Sequence, residues 1–450
     1  MDLKEKKVAV LGIGKTGIAT ARFLAGRGAR IAVTDAKPVS AWGEARIVLE
    51  SLPTDLTLAP YGPEILTGAD WVVPSPGVYP ADPILGEAVR RGIPILSELE
   101  LASRFITTPI IAITGTNGKT TVTSLIGEIL RAAGKKVFVG GNIGSPLIGY
   151  ADGPQEMDWA VVEVSSFQLQ WARAFHPRIA VLLNVTTDHI DYHGNFAAYR
   201  EVKERIFARQ NAGDLAILNG DEEATTLLRV RLAARTEIFR SSGPVDRGMF
   251  LAGEKLFHLL PAGEKEEYPL AMIHLPGRHN SENVMAAILA ARACGCEPPA
   301  IIRAVEGFRG IAHRIEYAGE INGILFYDDS KGTNVGAVMR ALESFSRPVI
   351  LLLGGRDKEG DFQILAPLIR RGVKEMVLFG EAAEKINGLL GGVVRTTLAA
   401  TLQEAMEKAY RSAAPGDAVL LSPGCASFDE FKDYKERGNR FQEWVGQRTQ

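Results

Sequence analysis

The run Ile110-Ile111-Ala112-Ile113-Thr114-Gly115-Thr116-Asn117-Gly118-Lys119-Thr120-Thr121 carries a β-branched apolar stretch into a glycine turn that ends in Gly-Lys-Thr. Such a turn can cradle phosphate. Its glycines let backbone N–H groups approach the oxygens, and the helix that follows aims the positive end of its dipole at them. Lys119 would hold the terminal phosphates and the Thr120 hydroxyl would ligate a magnesium ion. Ile113 stands where the strict phosphate-loop pattern has its first glycine, so a plain strand-to-helix turn is the competing reading.

Other groups stand at places where chemistry is done. Gly12-Ile13-Gly14-Lys15-Thr16-Gly17 follows a first apolar run, and Asp35 closes a second one. This is a dinucleotide-type fingerprint, which sets a pyrophosphate on a helix N-terminus without choosing between NAD, FAD and a nucleotide-sugar diphosphate. Glu163 ends the run Trp159-Ala160-Val161-Val162, where a carboxylate can reach a magnesium beside Thr120; a solvated strand-end acid is the alternative. His189, in Asn184-Val185-Thr186-Thr187-Asp188-His189, gains interest from its strand-end position. On a helix expected over residues 196–210, Tyr199, Val202, Ile206 and Phe207 share one apolar face, and Lys203 falls inside it. Burial favours a neutral amine, which can act as a nucleophile or add carbon dioxide to become a magnesium-binding carbamate; a snorkelling lysine is the plainer option. Asp328-Asp329-Ser330-Lys331-Gly332-Thr333-Asn334 leads into a helix expected over residues 335–345, with more charge than capping requires. His313-Arg314 could bring a guanidinium to a phosphate or form a surface salt bridge.

The elements that must position these groups follow from hydrophobic patterning. Short apolar runs ending in Gly, Asn or Asp alternate with amphipathic helical stretches, which argues for βαβ units and mostly parallel sheets, an α/β chain. In such sheets ligands gather beyond the carboxyl ends of the strands, where these polar residues lie. At 450 residues the length suggests about three domains, expected at 1–97, 98–310 and 311–450. A content of 46% hydrophobic and 23% charged residues is that of a soluble globular protein, and a net charge of −2 gives no electrostatic case for nucleic acid or an anionic membrane. Apolar runs such as residues 349–353 are strand length, short of a membrane span. The start of the chain lacks the apolar core and cleavage site of a signal peptide. Three cysteines, Cys294, Cys296 and Cys425, make neither a disulfide framework nor a zinc site. A reducing cytoplasm is the expected compartment, and a monomer the expected state.

Taken in order, Gly115-Thr116-Asn117-Gly118-Lys119-Thr120-Thr121, Gly141-Asn142-Ile143-Gly144, Glu163-Val164-Ser165-Ser166-Phe167-Gln168-Leu169, Asn184-Val185-Thr186, Asp188-His189, His279-Asn280, His313-Arg314-Ile315-Glu316 and Asp329-Ser330-Lys331 resemble the Mur ligases of peptidoglycan synthesis. The ending Ser422-Pro423-Gly424-Cys425-Ala426-Ser427-Phe428-Asp429, with Phe431-Lys432 and Arg437-Gly438, looks like the branch that adds D-glutamate. The resemblance covers the whole chain. It implies an N-terminal Rossmann-like domain for the UDP of a sugar nucleotide, a central P-loop-type ATPase domain with a parallel sheet, and a C-terminal Rossmann-like domain for the incoming amino acid.

By that resemblance Gly14, Lys15, Thr16, Asp35 and the Ser75-Pro76-Gly77 turn would hold the uridine nucleotide, with Asn142 and His189 near the sugar and its alanyl carboxylate. Gly115, Thr116, Asn117, Gly118, Lys119, Thr120, Thr121, Asn280, Asn283, Arg314 and Asp329 would bind ATP. Thr120, Glu163, His189 and a carbamylated Lys203 would organise two Mg2+ ions with Lys119, and Lys331, Thr333, Lys358, Ser427 and Phe428 would form a D-glutamate pocket. The implied reaction is ATP-dependent amide ligation on UDP-N-acetylmuramoyl-L-alanine through an acyl phosphate, catalysed by positioning and by charge neutralisation from magnesium, Lys119 and Arg314. Rival readings are a related Mur-type or folylpolyglutamate-type ligase with another amino acid, an NAD-dependent dehydrogenase using the N-terminal glycines, and a nucleotide switch without ligation.

Overall fold

The computed structural model describes residues 1–450 except Thr187, Asp188, Pro261, Ala262, Pro276, Ser346, Lys358, Glu359 and Gln450, and the side chains of Asp191 and Thr226. Two compact units divide the chain. One comprises Met1–Ile273 with Ser281–Phe308, the other His274–Asn280 with Arg309–Gln450.

The first unit holds two sheets. β1 (Lys7–Leu11), β2 (Arg30–Thr34), β3 (Leu56–Leu58) and β4 (Trp71–Pro74) form a four-stranded parallel sheet in the order β3-β2-β1-β4. The larger sheet contains β5 (Ile110–Thr114), β6 (Val137–Gly141), β7 (Trp159–Glu163), β8 (Ile179–Leu182), β9 (Leu215–Asn219), β10 (Arg235–Arg240), β11 (Gly248–Ala252), β12 (Lys255–Leu259) and β13 (Lys265–Pro269). Its order is β13-β12-β11-β10-β9-β8-β5-β7-β6. β5, flanked by β8 and β7, is buried along its whole length, as expected of a parallel strand covered on both faces. Its side chains alternate between two cores: Ile110 and Ala112 pack with Ala160, Val162 and Ala180, whereas Ile111 and Ile113 pack with Val161 and Val181 under Val122, Leu125, Ile126 and Ile129 of the helix Lys119–Ala132. A period of two thus fixes which way each strand end points.

In the second unit β14 (Glu316–Ile321), β15 (Ile324–Asp328), β16 (Val349–Gly354), β17 (Val373–Phe379), β18 (Arg395–Ala399) and β19 (Ala418–Gly424) form one sheet in the order β14-β15-β19-β16-β17-β18. Leu351 and Leu353 face one core, Ile350 and Leu352 the other.

The strands that end at the candidate site are parallel, as the sequence pattern predicts. Three outer strands differ, for β12, β13 and β14 pair antiparallel. They belong to hairpins, and the Asn322-Gly323 turn between β14 and β15 has both residues at positive φ, 51° and 78°. Asn-Gly between apolar runs is a hairpin signal that a search for βαβ units passes over. The helix expected over residues 196–210 needs correction: it runs Phe196–Glu204 and tightens into a 3-10 turn, Arg205–Phe207. The chain must turn back into β9 there, and the Gln210 amide is drawn inward to the carbonyls of Pro177 and Leu215, at 3.1 and 3.0 Å. The helix expected over residues 335–345 ends at Glu343. Among the described residues no helix is long and apolar enough to cross a membrane.

Candidate functional site

β5 delivers the loop 115–118 and the helix Lys119–Ala132 leaves it. Gly118 takes φ 81°, and a side chain there would come within 2.3 Å of Asn283 Oδ1, so the residue type is dictated twice. Asn184, just past β8, clamps the loop by accepting from Asn117 N–H at 2.8 Å and donating to Asn117 C=O at 3.2 Å. The Thr116 hydroxyl meets the Tyr199 hydroxyl at 3.1 Å and accepts from Thr186 N–H at 3.0 Å. Lys119 Nζ donates to the Gly115 and Thr116 carbonyls, both at 2.9 Å, which holds its charge over the loop.

Lys203 comes to the same place. It is 1% exposed, its Nζ donates to Gly115 C=O at 2.8 Å and lies 4.7 Å from the centre of the Tyr199 ring. Of the two sequence options, the buried one holds. Glu163, the last residue of β7, is also buried rather than solvated. Asn142 Nδ2 donates to its Oε1 at 2.8 Å, while Oε2 is shut off from solvent with no hydrogen-bond partner among the described residues. A carboxylate oxygen left in that condition beside a phosphate-type loop suits a hard cation, which seeks oxygen ligands. His189, at φ 50°, packs against Phe167 at 4.8 Å between ring centres. Asp188 of the same motif lies outside the described residues.

The N-terminal turn separates its glycines by task. A side chain at Gly12 would meet Ser75 Oγ at 2.6 Å and one at Gly17 would strike Gly12 C=O at 1.9 Å, whereas among the described residues nothing stands within 4 Å of a side chain added at Gly14. The first and last serve packing; the middle one leaves the helix start of Lys15–Ala25 open to a ligand. Asp35 accepts from Ile13 N–H at 3.1 Å and Lys37 N–H at 2.9 Å, bracing the turn. Lys15 Nζ donates to Gly144 C=O, so Lys15 and the Asn142 loop are joined.

In the second unit Asp329 is buried, and burial pushes its carboxyl up to about 7 against the pull of a Ser422 hydrogen bond and the Arg314 charge. Ser422 Oγ donates to Asp329 at 2.7 Å, and Gly424 N–H donates to Gly332 C=O at 2.8 Å, tying the ends of β15 and β19 together. Asn334 caps the helix Val335–Glu343 by accepting from Ala337 N–H at 2.8 Å. Lys331 N–H donates to His313 C=O at 2.9 Å, Thr333 follows, and Ser427 is buried beside the exposed Phe428. Lys358 lies outside the described residues. Asn280 and Asn283 share the helix Arg278–Ala293, Asn280 counted in the second unit and Asn283 in the first. Burial and the charges of Arg340 and Arg314 hold His279 below the usual imidazole range.

Several supporting contacts escape a reading of motifs. His193 meets Ser166 Oγ at 3.0 Å. Fully buried Arg437 donates to Ser330 Oγ and C=O, each at 2.9 Å, and to Cys425 C=O at 3.2 Å; burial lowers its guanidinium to about 10. His313, Glu316 and Asp328 offer ligand atoms within 4.8 Å of one another. Gln442 donates to both carboxylates there and His313 pairs with Asp328 at 2.7 Å, so the cluster is satisfied internally. Arginine and glutamine far along the chain give no local signal for such pairings.

Family models match the chain in three segments: the Mur ligase MurD-like N-terminal domain over residues 6–97, the Mur ligase middle domain over 113–291, and the Mur ligase glutamate ligase domain over 313–425. Among curated relatives, the UDP-N-acetylmuramoylalanine--D-glutamate ligase of Syntrophus aciditrophicus is 57% identical over 449 residues, covering 99% of this chain and 98% of its own. The enzyme of that name from Geobacter metallireducens is 44% identical over 441 residues, covering 98% and 97%. Among solved structures, UDP-N-acetylmuramate-alanine ligase MurC from Thermotoga maritima aligns with a TM-score of 0.59 at 20% identity, covering 98% of this chain and 99% of that one. A pseudomurein peptide ligase type C from Methanothermus fervidus also gives 0.59, at 18% identity, covering 98% and 100%. At those identities the two structures speak for the fold alone.

Proposed function

Since the chain belongs to the Mur ligase family, we propose that it adds D-glutamate to UDP-N-acetylmuramoyl-L-alanine at the expense of ATP, in peptidoglycan precursor synthesis. The observation that carries the chemistry is the convergence of Lys119 and Lys203 on Gly115 C=O, beside the strand end that bears Glu163. The observation that carries the amino acid is full-length identity to relatives named for D-glutamate. A dehydrogenase reading of the N-terminal glycines has no counterpart among those relatives.

In the first step an alanyl carboxylate oxygen attacks the γ-phosphorus of ATP, the bond to the β,γ-bridging oxygen breaks, and ADP leaves with its electron pair. The nitrogen of D-glutamate, having lost a proton, then attacks the acyl carbon. An amide bond forms and the carbon–oxygen bond to phosphate breaks. Gly115 to Thr121 and Lys119 hold the phosphates, joined by Asn280, Asn283, Arg314 and Asp329. Gly14, Lys15, Thr16, Asp35 and the Ser75-Pro76-Gly77 turn hold the uridine nucleotide, and Asn142 and His189 orient the alanyl end. Lys331, Thr333, Lys358, Ser427 and Phe428 receive D-glutamate, the first four being a basic and hydroxyl set suited to two carboxylates.

Thr120, Glu163, His189 and Lys203 would hold magnesium. Bound there, the metal neutralises charge on the transferring phosphoryl group. Lys203 would serve as a carbamate: its neutral amine bonds to the carbon of carbon dioxide and releases a proton, turning a cation into an oxygen ligand. Its use of ATP and a nucleotide sugar, with three buried thiols outside any disulfide, supports reading the enzyme as a monomer of a reducing cytoplasm.

Phosphate release from ATP tests the assignment. It is expected to require both UDP-N-acetylmuramoyl-L-alanine and D-glutamate, with L-glutamate and diamino acids inactive. Equal turnover with meso-diaminopimelate or L-alanine would overturn it.

A further inference from the structure

Ser97 opens the short helix Glu98–Ser103, accepting from Glu100 N–H, and Glu98 behind it points into the protein, 1% exposed. A carboxyl in that position needs partners, and Glu98 finds them on two separate segments. Its Oε1 accepts from Ile148 N–H at 2.6 Å, at the start of the helix Leu147–Asp152, whose own cap residue, Pro146, provides no side-chain acceptor. Its Oε2 accepts from Gln168 Nε2 at 3.5 Å, at the long end of hydrogen bonding. Gln168 in turn closes a capping box: its Oε1 accepts from Ser165 N–H at 3.0 Å, and its N–H donates to Ser165 Oγ at 3.3 Å.

Each of these segments follows directly on a site residue. Asn142 lies in the loop that enters Leu147–Asp152, and Glu163 lies two residues before Ser165. Those two residues are themselves bound together, by Asn142 Nδ2 to Glu163 Oε1 at 2.8 Å and by Asn142 N–H to Glu163 C=O at 2.9 Å. Glu98 therefore closes a ring from behind, running from Glu98 to Ile148, to Asn142, to Glu163, to Gln168 and back. Glu98 and Gln168 also line, with Ser75 and Phe167, a void of about 10 Å³, so the Ser75 turn shares their wall.

We infer that Glu98 is a positioning residue for the reaction: it touches no reacting group, and it fixes the mutual placement of the Asn142 and Glu163 loops by accepting from both segments at once. This rests on the reading of Asn142 and Glu163 as site residues. The demand on residue 98 is specific. A carboxylate accepts on both oxygens, whereas a glutamine accepts on only one. In Glu98→Gln, with the carbonyl kept toward Ile148, the new amide N–H2 faces the N–H2 of Gln168. If Gln168 turns over to accept, its own N–H2 confronts Ser165 N–H and the capping box opens. In the double variant Glu98→Gln, Gln168→Glu, the acceptor set is exchanged: residue 98 donates, and residue 168 accepts from residue 98 and from Ser165.

The test is steady-state phosphate release at pH 8.5, where Glu98 is ionised, by Glu98→Gln, Gln168→Glu, the double exchange and Glu163→Gln, each with its melting temperature. Glu98→Gln is expected to lose kcat by about tenfold or more, since a misplaced catalytic group costs up to about 100-fold. The KM for D-glutamate should stay within about twofold. The double exchange should recover most of the lost kcat. A stability role alone would move the melting temperature and leave kcat unchanged in the folded enzyme. A Glu98→Gln enzyme with wild-type kcat, or a folded double exchange no better than either single variant, would overturn the inference. If Glu98→Gln does not fold, kcat of Glu98→Asp decides: wild-type turnover from this shortened side chain overturns the inference, and a loss of tenfold or more supports it. Full activity in Glu163→Gln would instead overturn the underlying site reading, which keeps the two failures apart.

Discussion

Lys203 shows what a single side chain contributes once its surroundings are known. Its amine is buried against Tyr199 and bound to Gly115 C=O, close to where a carbamate would add an oxygen ligand for magnesium. Lys203→Ala should be nearly inactive, and a small carboxylic acid in the buffer should restore part of its activity by filling the vacated space. Lys203→Arg should not be rescued, because the cation stays in place. Initial rates of phosphate release across a formate and acetate titration check this, and equal rescue of both variants would argue against a carbamate. Glu98 yields a prediction about pH. Burial raises its carboxyl from 4.5 to about 7, so the folded protein binds that proton more tightly than the unfolded chain does. Its favourable contribution is complete below pH 4.5 and is lost as pH rises through 7, a swing of about 3 kcal/mol. Glu98→Gln removes this term. Denaturant melts should show wild-type stability falling relative to Glu98→Gln between pH 4.5 and 8; a constant difference would contradict the assignment.

At the scale of elements, the N-terminal glycine turn divides into positions closed by packing and one position left open. Gly17 sits so near Gly12 C=O that a methyl group would lie 1.9 Å from it, while Gly14 faces open space at an ordinary φ of −67°. Gly17→Ala should destabilise the protein by about 3 kcal/mol or more through overpacking. Gly14→Ala should fold with unchanged stability and bind the sugar nucleotide about tenfold more weakly or worse, since a methyl group would occupy the place of approach. Chemical denaturation and calorimetry with UDP-N-acetylmuramoyl-L-alanine distinguish the two; matched losses of stability would refute the division. The helix starts obey the same logic. Short polar side chains cap Leu402–Ser412, Tyr434–Gly446 and Val335–Glu343 locally, whereas Leu147–Asp152 relies on Glu98, far away in sequence.

Across the whole molecule, recognition is spread over parts of the chain that need not fail together. The sugar nucleotide is proposed to rest mainly on residues before Ser97, and the chemical step on Lys119 and its neighbours. Lys119→Ala should therefore abolish phosphate release while UDP-N-acetylmuramoyl-L-alanine at 100 times its Kd still stabilises the protein by about 2.7 kcal/mol. Thermal shift with and without the nucleotide measures this directly. Loss of the shift in Lys119→Ala together with its survival in Gly14→Val would reverse the proposed division.

The site-bearing strands, the phosphate-type loop and the place of Glu163 at a strand end were legible in the sequence, because each is a local pattern: a period of two, a glycine at an obligatory turn, a polar residue closing an apolar run. The apolar face around Lys203 was legible for the same reason. What Lys203 touches was not, since Gly115 lies 88 positions away and side-chain partnership at that separation depends on how the sheet is ordered. Sheet order also put β7 and β8 on either side of β5, which brings Asn184 to Asn117 and leaves Glu163 Oε2 without a hydrogen-bond partner among the described residues. Glu98 and Gln442 were likewise unreadable, and Arg437, singled out by the resemblance, gave no sign of its partners: a charged or polar residue in a helix resembles a solvated surface until burial forces it to find hydrogen-bond partners. Local chemistry was thus determined by the sequence taken segment by segment, and the tertiary structure decided which of those groups are buried together, because desolvation acts only once distant segments have closed around them.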